Sequence, residues 1–93
     1  MSNNLLKNKK GIIFGALDEN SIAWKTAEKI KAQGGEFILT NAPVALRMGK
    51  LNDLAKKTNS IVVAADATRN DDLENLIDKT LEHFSGKIDF VLH

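Results

Sequence analysis

Short, continuously apolar runs alternate with amphipathic segments along this chain, and that alternation constrains its fold more than any other feature. Ile12-Ile13-Phe14 is apolar at every position and stops at Gly15, as a strand covered on both faces would. From Ser21 to Gln33, Ala23, Ala27 and Ile30 recur at spacings of four and three, which marks one face of a helix. Gly34-Gly35 ends that helix, because glycine accepts the left-handed conformation found there. Phe37-Ile38-Leu39 reads as a second strand, followed by Thr40-Asn41-Ala42-Pro43. Pro43 suits the first turn of a helix, where its missing N–H loses no partner. Val44, Met48, Leu51 and Ala55 mark the face of that second helix, with Gly49 inside it. Ile61-Val62-Val63-Ala64-Ala65 is a third strand ending at Asp66. Thr68 followed by Asp71 resembles a capping box. Behind it, Leu73, Leu76, Ile77, Leu81 and Phe84 form the clearest amphipathic stripe in the chain. Ser85-Gly86 closes this third helix, and Ile88 to His93 begins a fourth strand.

The order β-α-β-α-β-α-β predicts an α/β fold with a parallel sheet. Right-handed crossovers then give the doubly wound, Rossmann-type solution with strand order 3-2-1-4. Residues 1–93 read as a single unit, the first half of one dinucleotide-binding domain, with the catalytic half absent. The first two helices fall on one face of such a sheet and the third on the other, which leaves the second face partly bare. Because exposed apolar sheet is normally covered, we expect further chain after His93. The alternative is a small flavodoxin-like domain, which would bring a fifth strand and its helix.

Charge and composition exclude several function classes. Thirteen basic residues against 12 acidic ones give a formal charge of +1, with no electrostatic footprint for nucleic acid or an anionic membrane. Cysteine is absent, which removes disulfides, thiolate metal sites and a cysteine nucleophile. No apolar run exceeds five residues, against the ~20 that span a bilayer. The polar start from Met1 to Lys10 is no secretory signal, so the expected compartment is the cytoplasm. No His/Asp/Glu cluster has metal-ligand spacing, and no metal is expected.

Ligands of a doubly wound sheet bind at the carboxyl ends of its strands, beside the switch point. Three segments reach that edge. In the first, Gly15 lets the backbone turn close to a ligand, and Ser21 sits at the mouth of a helix, where free N–H groups attract phosphate. Equally, Gly15 could be a turn glycine and Ser21 only an N-cap; the full G-x-G-x-x-G fingerprint is missing. In the second, Asp66 could bind an adenine amino group with Ala67 beside the ring, or could simply satisfy loop amides. The third, Thr40-Asn41-Ala42, lacks the acidic residue that often meets ribose hydroxyls in NAD sites. Arg47 and Lys50 follow and could meet a 2′-phosphate or lie solvated. His83 reads as a surface residue, His93 as a lone histidine at a strand end and Trp24 as a packing residue.

At Gly15-x5-Ser21-Ile22-Ala23 the sequence resembles the bacterial enoyl-acyl-carrier-protein reductases, a divergent branch of the short-chain dehydrogenase/reductases. That family has a single glycine followed six residues later by Ser-x-Ala. Asn4-Leu5-Leu6-Lys7-Asn8-Lys9-Lys10-Gly11, Gly34-Gly35-Glu36 and Ile88-Asp89-Phe90-Val91-Leu92-His93 are similar to the family as well. Asp66-Ala67 aligns with its adenine-contacting Asp-Val pair. Two positions depart from the pattern: Lys25 stands where many relatives have glycine, and Asn41-Ala42 replaces a Tyr-Gln pair.

The resemblance implies hydride transfer from NADH, with NADPH not excluded, to a trans-2-enoyl thioester carried on acyl carrier protein in bacterial type II fatty-acid synthesis. It implies that Gly15, Ser21, Ile22, Asp66 and Ala67 position the cofactor, and that the parent protein is a homo-tetramer. The family's catalytic Tyr-x6-Lys pair has no counterpart here, since the chain contains no tyrosine. Competing readings are another short-chain carbonyl reductase and a non-catalytic nucleotide-binding module.

Overall fold

The computed structural model describes residues 6–16, 20–43 and 51–92. Among the described residues, four strands, β1 (Lys10–Phe14), β2 (Glu36–Asn41), β3 (Ile61–Ala64) and β4 (Phe90–Leu92), alternate with three helices, α1 (Ile22–Ala32), α2 (Leu51–Thr58) and α3 (Asn70–His83). All pairings are parallel and the order is β3-β2-β1-β4, as the alternation predicts. The fold is the first half of a Rossmann-type doubly wound sheet. The crossovers through α1 and α2 step the chain one way, whereas α3 carries it back past β1, so α3 lies on the opposite face. Val44, Met48 and Gly49, expected in the second helix, lie outside the described residues.

Burial follows position in the sheet. Alternate residues of β1 and β2 feed different cores, because successive side chains of a strand point to opposite faces. Ile13, Phe37 and Leu39 join Trp24, Ala27, Ile30, Leu51, Leu54 and Ala55 on the side of α1 and α2. Ile12 and Ile38 join Ala65 and Leu76 on the side of α3. Ile12, Ile13, Ile38 and Leu39 are all wholly buried. The outer strands differ from the expectation of two-sided cover: Ile61 is 40% exposed and Val91 53%. They are equally apolar, but each lacks a neighbouring strand, and α3 alone covers little of its face. Along α3, only Leu76 and Thr80 are buried, and Ile77 is exposed. Thr80, absent from the predicted stripe, tolerates burial because its hydroxyl donates to the Leu76 carbonyl at 2.7 Å.

All three helices end in the same way. A residue with positive φ follows the last turn: Gly34 (φ 90°), Asn59 (φ 53°) and Ser85 (φ 58°). The next N–H then reaches back to a carbonyl in that turn, from Gly35 to Ile30, Ser60 to Ala55 and Gly86 to Leu81. Only the first of these three uses glycine at the strained position. We therefore predict that Ser85→Gly stabilises the fold by about 0.5–1 kcal/mol, since relief of the left-handed conformation outweighs the added chain entropy. Leu54→Ala, in the closed core, should cost about 2–5 kcal/mol, whereas Ile77→Ala should cost about 1 kcal/mol or less. Urea unfolding midpoints would separate all three.

Candidate functional site

The loops after β1, β2 and β3 meet at the carboxyl edge of the sheet, joined by main-chain and side-chain hydrogen bonds. Gly15, at φ 84°, adopts a conformation that a side chain would strain, and its N–H donates to the Thr40 carbonyl at 3.1 Å. A Cβ on Gly15 would meet nothing within 4 Å, so this glycine serves the backbone turn and borders open space. Ala16, next along, is buried in the core shared with Trp24. Leu17, Asp18 and Glu19 lie outside the described residues.

Ser21 is the N-cap of α1, with extended backbone and its Oγ accepting from the Trp24 N–H at 3.2 Å. No acidic residue occupies the first turn, so no carboxylate there offsets the positive end of the helix. Ile22, the first helical residue, is 84% exposed. With Phe14, Ala23, Thr26 and Leu92 it lines a cleft of about 290 Å³. Across Phe14, a second cleft of about 370 Å³ is walled by Ile12, Ala67, Leu73, Leu76, Ile77 and Val91.

Asp66 is tied down on both sides. Its N–H donates to Asp72 Oδ2 at 2.9 Å, and its Oδ1 accepts from both the N–H (2.9 Å) and the hydroxyl (2.6 Å) of Thr68. The hydroxyl first, then the Thr68 N–H and the nearby Arg69 charge, hold its carboxyl below the ordinary value of 3.8, against a smaller opposing effect of burial. This Asx turn corrects the capping-box expectation. Thr68 spends its hydroxyl on the Asp66 carboxylate, a charge-assisted acceptor, and the N-cap of α3 is Arg69, whose side chain caps none of the helix N–H groups.

Gly15 thus follows β1, Ser21 and Ile22 open α1, Asp66 and Ala67 follow β3, and β2 stands between β1 and β3. Its last residue, Asn41, is the one that residue-type reasoning passes over for want of a charge. Its Nδ2 donates to the Ala16 carbonyl at 3.2 Å, and its own carbonyl accepts from the Ala65 N–H at 3.0 Å. An asparagine closing a strand just before Ala-Pro is a turn signal, and that signal was available. Arg47, Lys50 and His93 lie outside the described residues. His83 is exposed and sits edge-on to Phe84, and Trp24 is buried, so both occupy the structural roles expected of them. Lys25 points outward from α1, exposed. Among the described residues no group of three His, Cys, Asp or Glu could hold a metal ion, and no helix is long and apolar enough to cross a membrane.

The family model described as Enoyl-(Acyl carrier protein) reductase matches residues 15–93, from the glycine turn to the last residue of the sequence. The chain belongs to this family. An enoyl-acyl-carrier-protein reductase (NADH) from Rhizobium meliloti is 34% identical over 92 residues, which cover 98% of this chain and 34% of that protein. The FabI–NADH complex from Alistipes finegoldii superposes with a TM-score of 0.95 at 64% identity, covering 97% of this chain and 32% of that one. The enoyl-acyl carrier protein reductase of Bacillus cereus, in a complex with NADP+ and indole naphthyridinone, superposes at 0.85 with 27% identity, over 96% and 35% of the two chains. The chain therefore spans about a third of the length of the relatives it matches.

The Asx turn yields a pH prediction. A carboxyl with a lowered pKa contributes order above its unfolded value, and that order is lost as pH falls through the folded one. The Asp66 loop should stay closed at pH 5 and open only below the ordinary carboxylate range. Thr68→Val should move the Asp66 titration upward, towards 3.8. Carboxyl carbon shifts followed by NMR through acid pH would read both effects.

Proposed function

We propose that this chain is the cofactor-binding part of an NADH-dependent enoyl-acyl-carrier-protein reductase. Residues 1–93 would be the N-terminal dinucleotide-binding half of a single Rossmann domain, with the catalytic half carried by other residues of the parent protein. The observation that carries this reading is the likeness, at 64% identity over nearly the whole chain, to a reductase solved with NADH. The local geometry suits such a ligand. A left-handed Gly15 borders open space, a helix N-terminus without acidic residues follows it, and Asp66 presents a carboxylate kept ionised by Thr68.

In this reading Gly15 admits the pyrophosphate, and the N–H groups of the first turn after Ser21 offset its charge. Ile22 packs its exposed side chain against the cofactor and shields it from water. Asp66 accepts from the adenine amino group through Oδ2, since both bonds from Thr68 fall on Oδ1, and Ala67 lies beside the ring. Bound NADH supplies the hydride that reaches the β-carbon of a trans-2-enoyl thioester on acyl carrier protein, in bacterial type II fatty-acid synthesis. The chain has no tyrosine, so the Tyr that stabilises the resulting enolate together with the cofactor ribose, and the Lys that holds that ribose, belong to the rest of the parent. NADPH is a second candidate: β2 ends in a neutral Asn41, and a relative binds NADP+. A cytoplasmic homo-tetramer completes the proposal.

The parent protein, mixed with crotonyl thioester, should oxidise NADH, and no oxidation of either NADH or NADPH would overturn the reading. Ser21→Trp should weaken cofactor binding by about tenfold or more, equivalent to about 1.4 kcal/mol. Calorimetric titration showing unchanged affinity would remove Ser21 from the site.

A further inference from the structure

We infer that Asn41 is a positioning residue of the cofactor site: its carboxamide braces the glycine turn against β2 and reads no group of the ribose. The inference rests on the cofactor reading above and extends it to a residue to which that reading assigns no contact.

Asn41 is a node between three loops. Its backbone carbonyl takes the Ala65 N–H at 3.0 Å, beside Asp66. Its Oδ1 takes the Ala42 N–H at 2.8 Å, and its Nδ2 gives a proton to the Ala16 carbonyl at 3.2 Å, 25 residues away in sequence. These two side-chain bonds fix the amide's orientation, because a flipped amide would set donor against donor and acceptor against acceptor. Gly15 has no side chain to anchor the turn, and among the described residues the packing of Ala16, the Gly15–Thr40 main-chain bond and Asn41 help to hold it.

The chemistry argues against ribose readout. An acidic residue at this place discriminates by accepting from ribose hydroxyls. Asn41 Oδ1 accepts from Ala42 and its Nδ2 donates to Ala16, which leaves one lone pair and one N–H, and a neutral amide has no charge with which to favour a ribose hydroxyl over a 2′-phosphate. The brace therefore supports NADH and NADPH alike.

The experiment compares Asn41→Ala and the near-isosteric Asn41→Asp with wild type in the full-length parent protein. Binding of NADH and of NADPH is measured by calorimetry, and amide hydrogen exchange is followed at Phe14–Ala16. In Asn41→Ala both dissociation constants should rise about tenfold by a similar factor, equivalent to about 1.4 kcal/mol, and Gly15 should exchange faster. Asn41→Asp keeps the acceptor for Ala42 but turns an oxygen on the Ala16 carbonyl, so it should weaken NADH as well. A ribose-reading residue would behave oppositely, with aspartate holding or strengthening NADH. That result, a change confined to the NADPH-to-NADH ratio, or faster exchange without weaker binding would each overturn the inference. Should wild type bind neither cofactor, the functional reading falls and the positioning role falls with it. Exchange at Gly15 would then show only whether Asn41 holds the turn.

Discussion

Parallel pairing of β1 with β2, in the register that sets Phe14 beside Thr40, fixes the position of every other part of the molecule. Both strands are covered on both faces, with Ile12, Ile13, Ile38 and Leu39 removed from solvent. Burying four such side chains contributes roughly 1.5–3 kcal/mol each, and a slip of one residue would send each to the opposite core. The register also decides where the strands stop. Gly15 and Asn41 leave the sheet side by side, and Asn41 opposite Ala64 brings the Asp66 loop to the same edge. The site is a consequence of where two buried strands end together.

Polar interactions at that edge refine what the sheet has placed. Hydrogen bonds join the Gly15 turn to Thr40, Ala16 to Asn41 and Asn41 to Ala65, so that three loops are tied to one another. Opposite ends of the strands carry a different kind of tie, with Asp89 Oδ2 accepting from the Lys10 N–H at 2.8 Å and pinning β4 to β1. Surface ion pairs such as Lys57–Glu28, at 2.5 Å between α2 and α1, add about 0–1 kcal/mol in water. The edge therefore owes its shape to backbone and amide geometry more than to charge.

The two faces of the sheet are unequally finished. On the side of α1 and α2 the core is closed around Trp24 and Leu54. On the side of α3, Ile77 and Val91 remain exposed, and an apolar cleft runs from Phe14 to Ala67. One helix covers about 10 Å of width, too little for a sheet of four strands at about 4.8 Å spacing. This follows from the crossover rule alone and was foreseeable from element order.

Local sequence determined the elements, their order and the parallel sheet, because apolar runs and helical periodicity report burial directly, and handedness leaves few ways to connect them. It also pointed to Gly15, Ser21 and Asp66, since a turn glycine, an N-cap serine and a carboxylate after a strand are recognisable residue by residue. Only the tertiary structure decided that Asp66 and Thr68 close on each other instead of Thr68 capping α3. It alone decided that equally apolar strands differ in burial, and that Asn41 joins loops 25 residues apart. The reason is common to all three: a hydrogen-bond partner or a covering neighbour is a matter of distance in space, and periodicity along the chain carries no information about which distant groups will meet.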